Sequence, residues 1–233
     1  MRVPLTLAVA QPLCVAADVA ANAAIHVAMV RTCGARVVVF PELSLTGYEL
    51  AAPSIVADDP RLTPIVQACK EEKAVALAGA PVRGPDGRDY IATLAIDGTQ
   101  ATVAYRKMWL HPSELDRFTS GDEPAVVEVD GWRLGLAICR DSGVSEHARA
   151  TAGLGIDVYA ASTLFSLSAG NRRDARMRAI AAEHRIWVAT ASFAGSTGGY
   201  PKTSGGSGIW APDGSLTAQA GLRTGTFAQA PLI

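Results

Sequence analysis

Residues 131–154, GWRLGLAICRDSGVSEHARATAGL, set the reading of the whole chain. The run WRLGLAI has the length and apolarity of a buried strand, and SEHARATAGL reads as a helix with Ser145 at its N-cap. Cys139 stands at the junction, followed at once by Arg140, Asp141 and a short turn. A thiol placed there lies near backbone N–H groups and the positive end of a helix dipole, which favour the thiolate.

Two other charged residues end apolar runs in the same manner: Glu42 after RVVVF, and Lys107 after ATVAYR. Pro41 blocks extension of a strand ladder and Gly47 allows a tight loop, so Glu42 is expected to project from a strand end. Taken singly, each has a plainer explanation. A lone glutamate is usually a solvated loop carboxylate, a lysine on an edge strand is usually surface, and an isolated cysteine is usually packed in a core. Together at three strand ends they can meet at one edge of a sheet, which suggests a hydrolase with a thiol nucleophile. Glu114, in HPSELDRF, reads either as helix-start decoration or as a second carboxylate that holds Lys107 or the substrate.

The rest of the chain alternates apolar runs with Ala-rich helical segments. Residues 5–10 read as a strand, Asp18 as the cap of a helix running to Cys33, and 37–40 as a second buried strand. A helix over 61–73 precedes AVALAGAPV as the third strand. YIATLAID and ATVAYRK form a hairpin turning at Gly98-Thr99, and AVVEVDGWRLGLAIC a second one at Asp130-Gly131. A helix over 145–154, a strand over 158–161, an arginine-rich helix over 171–184 and the strand IWVATASF follow. GGSGIWAPDGSLTAQAG gives a last hairpin at Asp213-Gly214, and the Gly-rich stretch 195–208 reads as a loop able to cover the site. This order predicts an α/β fold with mixed sheet, in a single domain over 1–233, with a faint repeat of two helix–strand halves.

Hydrophobic residues make up 49% and charged ones 18%, enough for a large core. The formal net charge is −1, from 21 basic and 22 acidic side chains, so no basic excess points to nucleic acid or an anionic membrane. The expected partner is a small molecule. Pro4, Gln11 and Pro12 interrupt the apolar start, which favours a first strand LTLAVAQ over a secretion signal, and no run approaches the ~18 apolar residues of a membrane helix. Four cysteines lack paired spacing and read as reduced thiols of a cytoplasmic protein, with Cys14, Cys33 and Cys69 as core or helix-face residues. The four histidines show no metal-ligand spacing, so neither metal nor cofactor is expected.

FPELSLTGY, YRKMWLHPSELDRFTSG and GLAICRDSGVSE, in that order, resemble the three motif regions of the nitrilase superfamily of carbon–nitrogen hydrolases. Asp141 and Glu146, two and seven residues after the cysteine, agree with that pattern, as do the later segments GIDVYAAST and SGGSGIWAPDGSL. The resemblance implies a four-layer αββα sandwich with two mixed β-sheets, assembled as a homodimer or higher homo-oligomer. It implies Glu42 as general base, Lys107 as stabiliser of the tetrahedral intermediate, Cys139 as nucleophile and Glu114 as an assisting glutamate. Tyr48, Trp109 and Arg140 are expected at the substrate, a small non-peptide amide cleaved through a thioester. A nitrilase, an N-carbamoyl hydrolase or an acyltransferase on the same scaffold, a silent binding protein and a redox thiol protein stay open as alternatives.

The chain departs from the family pattern in several places. Arg140 follows the nucleophile where an aromatic or other pocket-shaping residue is common, and Val144 and Ser145 replace an aromatic and a proline. Trp109 replaces a frequent histidine, and His184 and Ala191 stand where asparagine is common. The segment after the last hairpin is short beside the tail that braces many family dimers. Arg140 either forks onto a substrate carboxylate or turns away to pair with a neighbouring acid. Arg172, Arg173, Arg176 and Arg178 read most simply as a solvated or interface-facing side of their helix.

Overall fold

The computed structural model describes residues 2–233. Leu5–Gln11 (β1), Val37–Val39 (β2) and Val75–Arg83 (β3) are parallel neighbours, linked by the helices Val19–Cys33 (α1) and Thr63–Glu72 (α2). Asp89–Ile96 (β4) and Ala101–Arg106 (β5) then turn back antiparallel. Val126–Val129 (β6) and Trp132–Ile138 (β7) form the next hairpin. Asp130 and Gly131 at its tip both have positive φ, 52° and 79°, the geometry of a two-residue turn matched to strand twist.

A second parallel trio follows: β7, Val158–Thr163 (β8) and Trp187–Ser192 (β9), connected by Ser145–Ala152 (α3) and Gly170–His184 (α4). Ala194–Thr197 (β10) pairs with Tyr200–Ser204 (β11) as a separate two-stranded ribbon. Gly208–Trp210 (β12) and Leu216–Gln219 (β13) extend the second sheet, and Thr226–Leu232 (β14) returns to pair with β1. Two six-stranded mixed sheets result, in the orders β14-β1-β2-β3-β4-β5 and β13-β12-β9-β8-β7-β6. The faint repeat in the letters corresponds to the two strand–helix–strand–helix–strand trios.

Strand alternation explains the layering. Leu7 and Val9 point into the core between the sheets, with Val37, Val39, Leu134, Leu136, Ile138 and Ala160. Ala8, Ala10 and Val38 face the other way, onto α1 and α2, and Ala137, Tyr159 and Ala161 face α3 and α4. Three apolar layers between four structural ones give the expected αββα sandwich. No helix among the described residues is long and apolar enough to cross a membrane.

Asp18 caps α1 as its position suggests, accepting from the Ala21 N–H at 3.0 Å, and Gly34 at φ 55° ends it. Two local expectations change, and one strand is found where the letters suggested no element. Val144, in extended conformation, is the N-cap of α3, and Ser145 is its first helical residue. The Gly-rich 195–208 stretch is partly the β10–β11 ribbon. The segment ending in Leu232 is a full strand: Ala228, Ala230 and Leu232 point inward and are buried, but their small, interrupted apolar pattern hides the period of two.

Candidate active site

Glu42 lies just beyond β2, in a turn pressed against β3. A Cβ on Gly79 would come within 2.3 Å of the Leu43 nitrogen and 2.7 Å of the Pro41 carbonyl, so only glycine admits this approach. The Leu45 N–H donates to the Gly79 carbonyl at 2.9 Å and fixes the turn. Lys107 follows β5, anchored by its N–H on the Ile91 carbonyl at 2.8 Å. Glu114 ends the short 3-10 turn Pro112–Glu114, where its Oε2 accepts from the His111 N–H at 2.7 Å.

These elements bring the three charges together. Lys107 Nζ donates to Glu42 Oε1 at 2.6 Å and to Glu114 Oε1 at 2.7 Å, and the Tyr48 hydroxyl donates to the same Glu114 oxygen at 2.6 Å. All three charged side chains are buried. Glu42 Oε2 is also buried and has no hydrogen-bond partner among the described residues. Burial pushes the Glu42 carboxyl up to about 7, opposed by the Lys107 ammonium and reinforced by Glu114. For Lys107 burial acts downward, but Glu42, Cys139 and Glu114 outweigh it and hold the ammonium above its usual range.

Cys139 follows β7 as the first residue of the 3-10 turn Cys139–Gly143, with φ 47°, a left-handed conformation rare for a non-glycine residue. Its Sγ donates to the Leu164 carbonyl, just past β8, at 3.4 Å. Behind it, Asp141 ties the segments together. Oδ2 accepts from the Ile138 N–H at 2.9 Å and the Tyr105 hydroxyl at 2.7 Å, and Oδ1 accepts from the Trp109 N–H at 2.8 Å. The expectation of a resting thiolate does not hold. Burial raises the thiol strongly, the Glu42 charge adds to that, and Lys107 only partly offsets both. The sulfur is a thiol beside a base, and ionising it requires moving its proton.

Glu42, Glu114 and Cys139 line a cavity of about 220 Å³, together with Tyr48 and Arg140. That is smaller than the roughly 300–1,000 Å³ of pockets for drug-sized ligands. Tyr200 of the β10–β11 ribbon joins the lining, its ring edge-on to Tyr48 with centroids 5.9 Å apart. The Trp109 ring is not part of that lining; it stands edge-on to His147 at 5.5 Å, and its backbone does the work of meeting Asp141. Arg140 pairs with no carboxylate among the described residues; one of its nitrogens donates to the Leu110 carbonyl at 2.6 Å. Arg172 and Arg176 of α4 also line the cavity, whereas Arg173 is buried elsewhere and Arg178 lies on the exposed surface. The sequence carries a signal for this pair, their spacing of four on one helix face, but nothing in it says which way that face looks.

A thiol, a base of raised pKa, a held ammonium and a small cavity make a site suited to acyl transfer through sulfur. The carbon–nitrogen hydrolase family model matches residues 6–232, and the chain belongs to that family, hydrolases acting on carbon–nitrogen bonds other than peptide bonds. A hydrolase encoded in the pqqF 5' region of Pseudomonas protegens is 34% identical over 95% of this chain and 79% of its own length. An (R)-stereoselective amidase of a Pseudomonas species is 35% identical over 52% of this chain and 45% of its own. Among solved structures, an amidase of the nitrilase superfamily from Nesterenkonia AN1 superposes with a TM-score of 0.87 at 22% identity, covering 100% of this chain and 92% of that one.

Proposed function

We propose that the protein is an amidase that hydrolyses a small non-peptide amide through a thioester on Cys139. The observation that carries this reading is the buried, unpartnered Oε2 of Glu42, on a carboxyl that titrates near 7, beside a thiol that cannot ionise unaided. Glu42 takes the thiol proton as the sulfur attacks the amide carbon. Lys107 and the backbone N–H of Arg140 stabilise the oxyanion, and Glu42 returns the proton to the departing nitrogen, releasing ammonia or an amine. Water then gives a proton to Glu42 and attacks the thioester carbon. Collapse of that second intermediate expels the sulfur, which recovers the proton, and the carboxylic acid leaves. Glu114 holds the far side of Lys107 and keeps its ammonium pointed at the same place.

The amidase named among the relatives, and the Nesterenkonia amidase captured with butyramide, support an amide substrate over a nitrile. Ammonia release from matched panels of small amides and nitriles tests the reading, with mass spectrometry of the quenched enzyme to find the acyl adduct. Amides are expected to turn over and to leave an acyl group on Cys139. Turnover of nitriles alone, or ammonia release by Cys139→Ala, would overturn it.

A further inference from the structure

Three arginines line the cavity: Arg140 in the turn after β7, and Arg172 and Arg176 one turn apart on α4. None of the three has a carboxylate within ion-pair distance among the described residues. The carboxylates lining the cavity, Glu42 and Glu114, are both engaged by Lys107. The neighbouring Arg173 shows what a structural arginine looks like here. It is buried, pairs with Asp174 at 2.8 Å, and donates to Ser204 Oγ at 2.8 Å and to the Gly205 carbonyl.

The arrangement carries an electrostatic cost that the protein alone does not offset. Arg176 is half-buried, its guanidinium over the Phe165 ring at 5.5 Å and one nitrogen 3.3 Å from Ser142 Oγ. A Cβ on Gly143 would meet that guanidinium at 2.9 Å, so the group is packed in place rather than free in solvent. Burial lowers its pKa; the Cys139 sulfur acts upward, and Arg172 adds repulsion. Arg172 and Arg173 also occupy the first turn of α4, which has no acidic residue and no side-chain cap, so positive charge sits at the positive end of the helix dipole. Both features become favourable once an anion enters the mouth. Each guanidinium has five donors, of which Arg140 uses one on Leu110, so forked contacts to a carboxylate remain free.

We propose that Arg140, Arg172 and Arg176 form a carboxylate-recognition rim, and that the substrate is an amide that also bears a carboxylate. The proposal rests on the amidase reading for its chemistry but not for its binding claim. The carboxylate sits on the acyl portion in the mono-amide of a dicarboxylic acid, and on the leaving portion in an N-acyl amino acid.

Two measurements test it. In the first, kcat/KM is compared for the mono-amides of succinic, glutaric and adipic acids, for the neutral butyramide, pentanamide and hexanamide, and for N-acetyl amino acids. The wild type is expected to favour one carboxylate-bearing series by about tenfold or more, and Arg172→Ala and Arg176→Ala to collapse that ratio. The second needs no turnover: succinate and glutarate are titrated calorimetrically into the Cys139→Ala protein, with and without Arg172→Glu. Arg172 is exposed, so the charge reversal leaves the core untouched. Binding that weakens with salt and is lost in the charge-reversed protein supports the rim even if no amide is hydrolysed, in which case the amidase reading alone fails. Equal rates on acidic and neutral amides, with no dicarboxylate binding, overturn the rim while leaving the amidase reading intact. Binding of inorganic phosphate without either dicarboxylate also overturns it.

Discussion

Lys107 Nζ meets Glu42 Oε1 at 2.6 Å and leaves the second oxygen of that carboxylate buried without a partner. One oxygen thus serves to hold the ammonium, and the other is free to carry a proton. Glu42→Gln keeps the size of the side chain and removes the basic oxygen. Hydrolysis is expected to fall by roughly 10²–10⁴-fold, the usual contribution of a positioned general base, with ligand binding retained. Turnover within a few-fold of the wild type would remove Glu42 from the mechanism.

The pH profile follows from the same carboxyl, which burial raises to about 7. A base must be ionised to accept the thiol proton, so activity is present above that pKa and is lost as pH falls through it. The expected kcat/KM profile has an acid limb with a midpoint near neutrality and about tenfold loss per pH unit below it. A flat profile between about pH 5 and pH 8 would contradict the assignment.

Lys107→Met tests the electrostatics of the floor separately from the chemistry. Removing the ammonium leaves Glu42 and Glu114 buried with no counter-charge, and breaking such a buried pair costs about 3–5 kcal/mol. The urea midpoint at neutral pH should drop accordingly and recover partly on mild acidification, which lets a carboxyl take up a proton. An unchanged midpoint would mean the carboxylates are better solvated than the structure shows.

Cys139 should also be distinguishable from its fellow thiols by alkylation. Burial raises all four thiols, but Cys33 and Cys69 are buried, half-buried Cys14 donates to the Ser44 carbonyl at 3.3 Å, and Cys139 lines the cavity beside the Glu42 carboxylate. Peptide mapping after brief exposure to iodoacetamide should find the label on Cys139, at a rate that rises with pH through the ionisation of Glu42. Label spread evenly over the cysteines would show an unactivated thiol.

Gly79→Ala probes the support of the site rather than its reacting groups. The added methyl would collide with backbone at 2.3–2.9 Å, so the turn carrying Glu42 must move. Overpacking of this kind costs typically about 1–3 kcal/mol, and the loss of kcat is expected to exceed what the change in melting temperature explains. Wild-type kcat in a stably folded Gly79→Ala protein would show that the Glu42 turn tolerates displacement.

Much of the sandwich was legible because its strands are short apolar runs bounded by turn residues, as in WRLGLAI before Cys139 and ATVAYR before Lys107. Those abrupt ends also mark Glu42, Lys107 and Cys139 as strand-end residues, but the structure brings them together across two sheets, β2 and β5 in one and β7 in the other, rather than at one sheet edge. Three things lay beyond the letters. Alanine and interrupted hydrophobicity conceal the inward face of TFAQAPL in β14, and glycine conceals the β10–β11 ribbon. The orientation of α4 is hard to read because its apolar stripe is short, Met177, Ile180 and Ala181, with the charged Arg173 buried one turn before it, so Arg172 and Arg176 gave no hint of facing the cavity. The ionisation of Cys139 depends on how deeply the sulfur is enclosed, a property of packing that a strand–turn–helix pattern does not encode.

The pairing of Leu5 with Leu232 joins the earliest strand to the latest along the whole of β1. During synthesis on the ribosome, β1 must therefore wait, one side unclaimed, until residues 226–232 have emerged, and loop-closure entropy delays that meeting further. Until then its open amides offer a template to other nascent chains. A chain stalled before residue 226 would thus be inclined to aggregate, although every residue of its cavity had already been made.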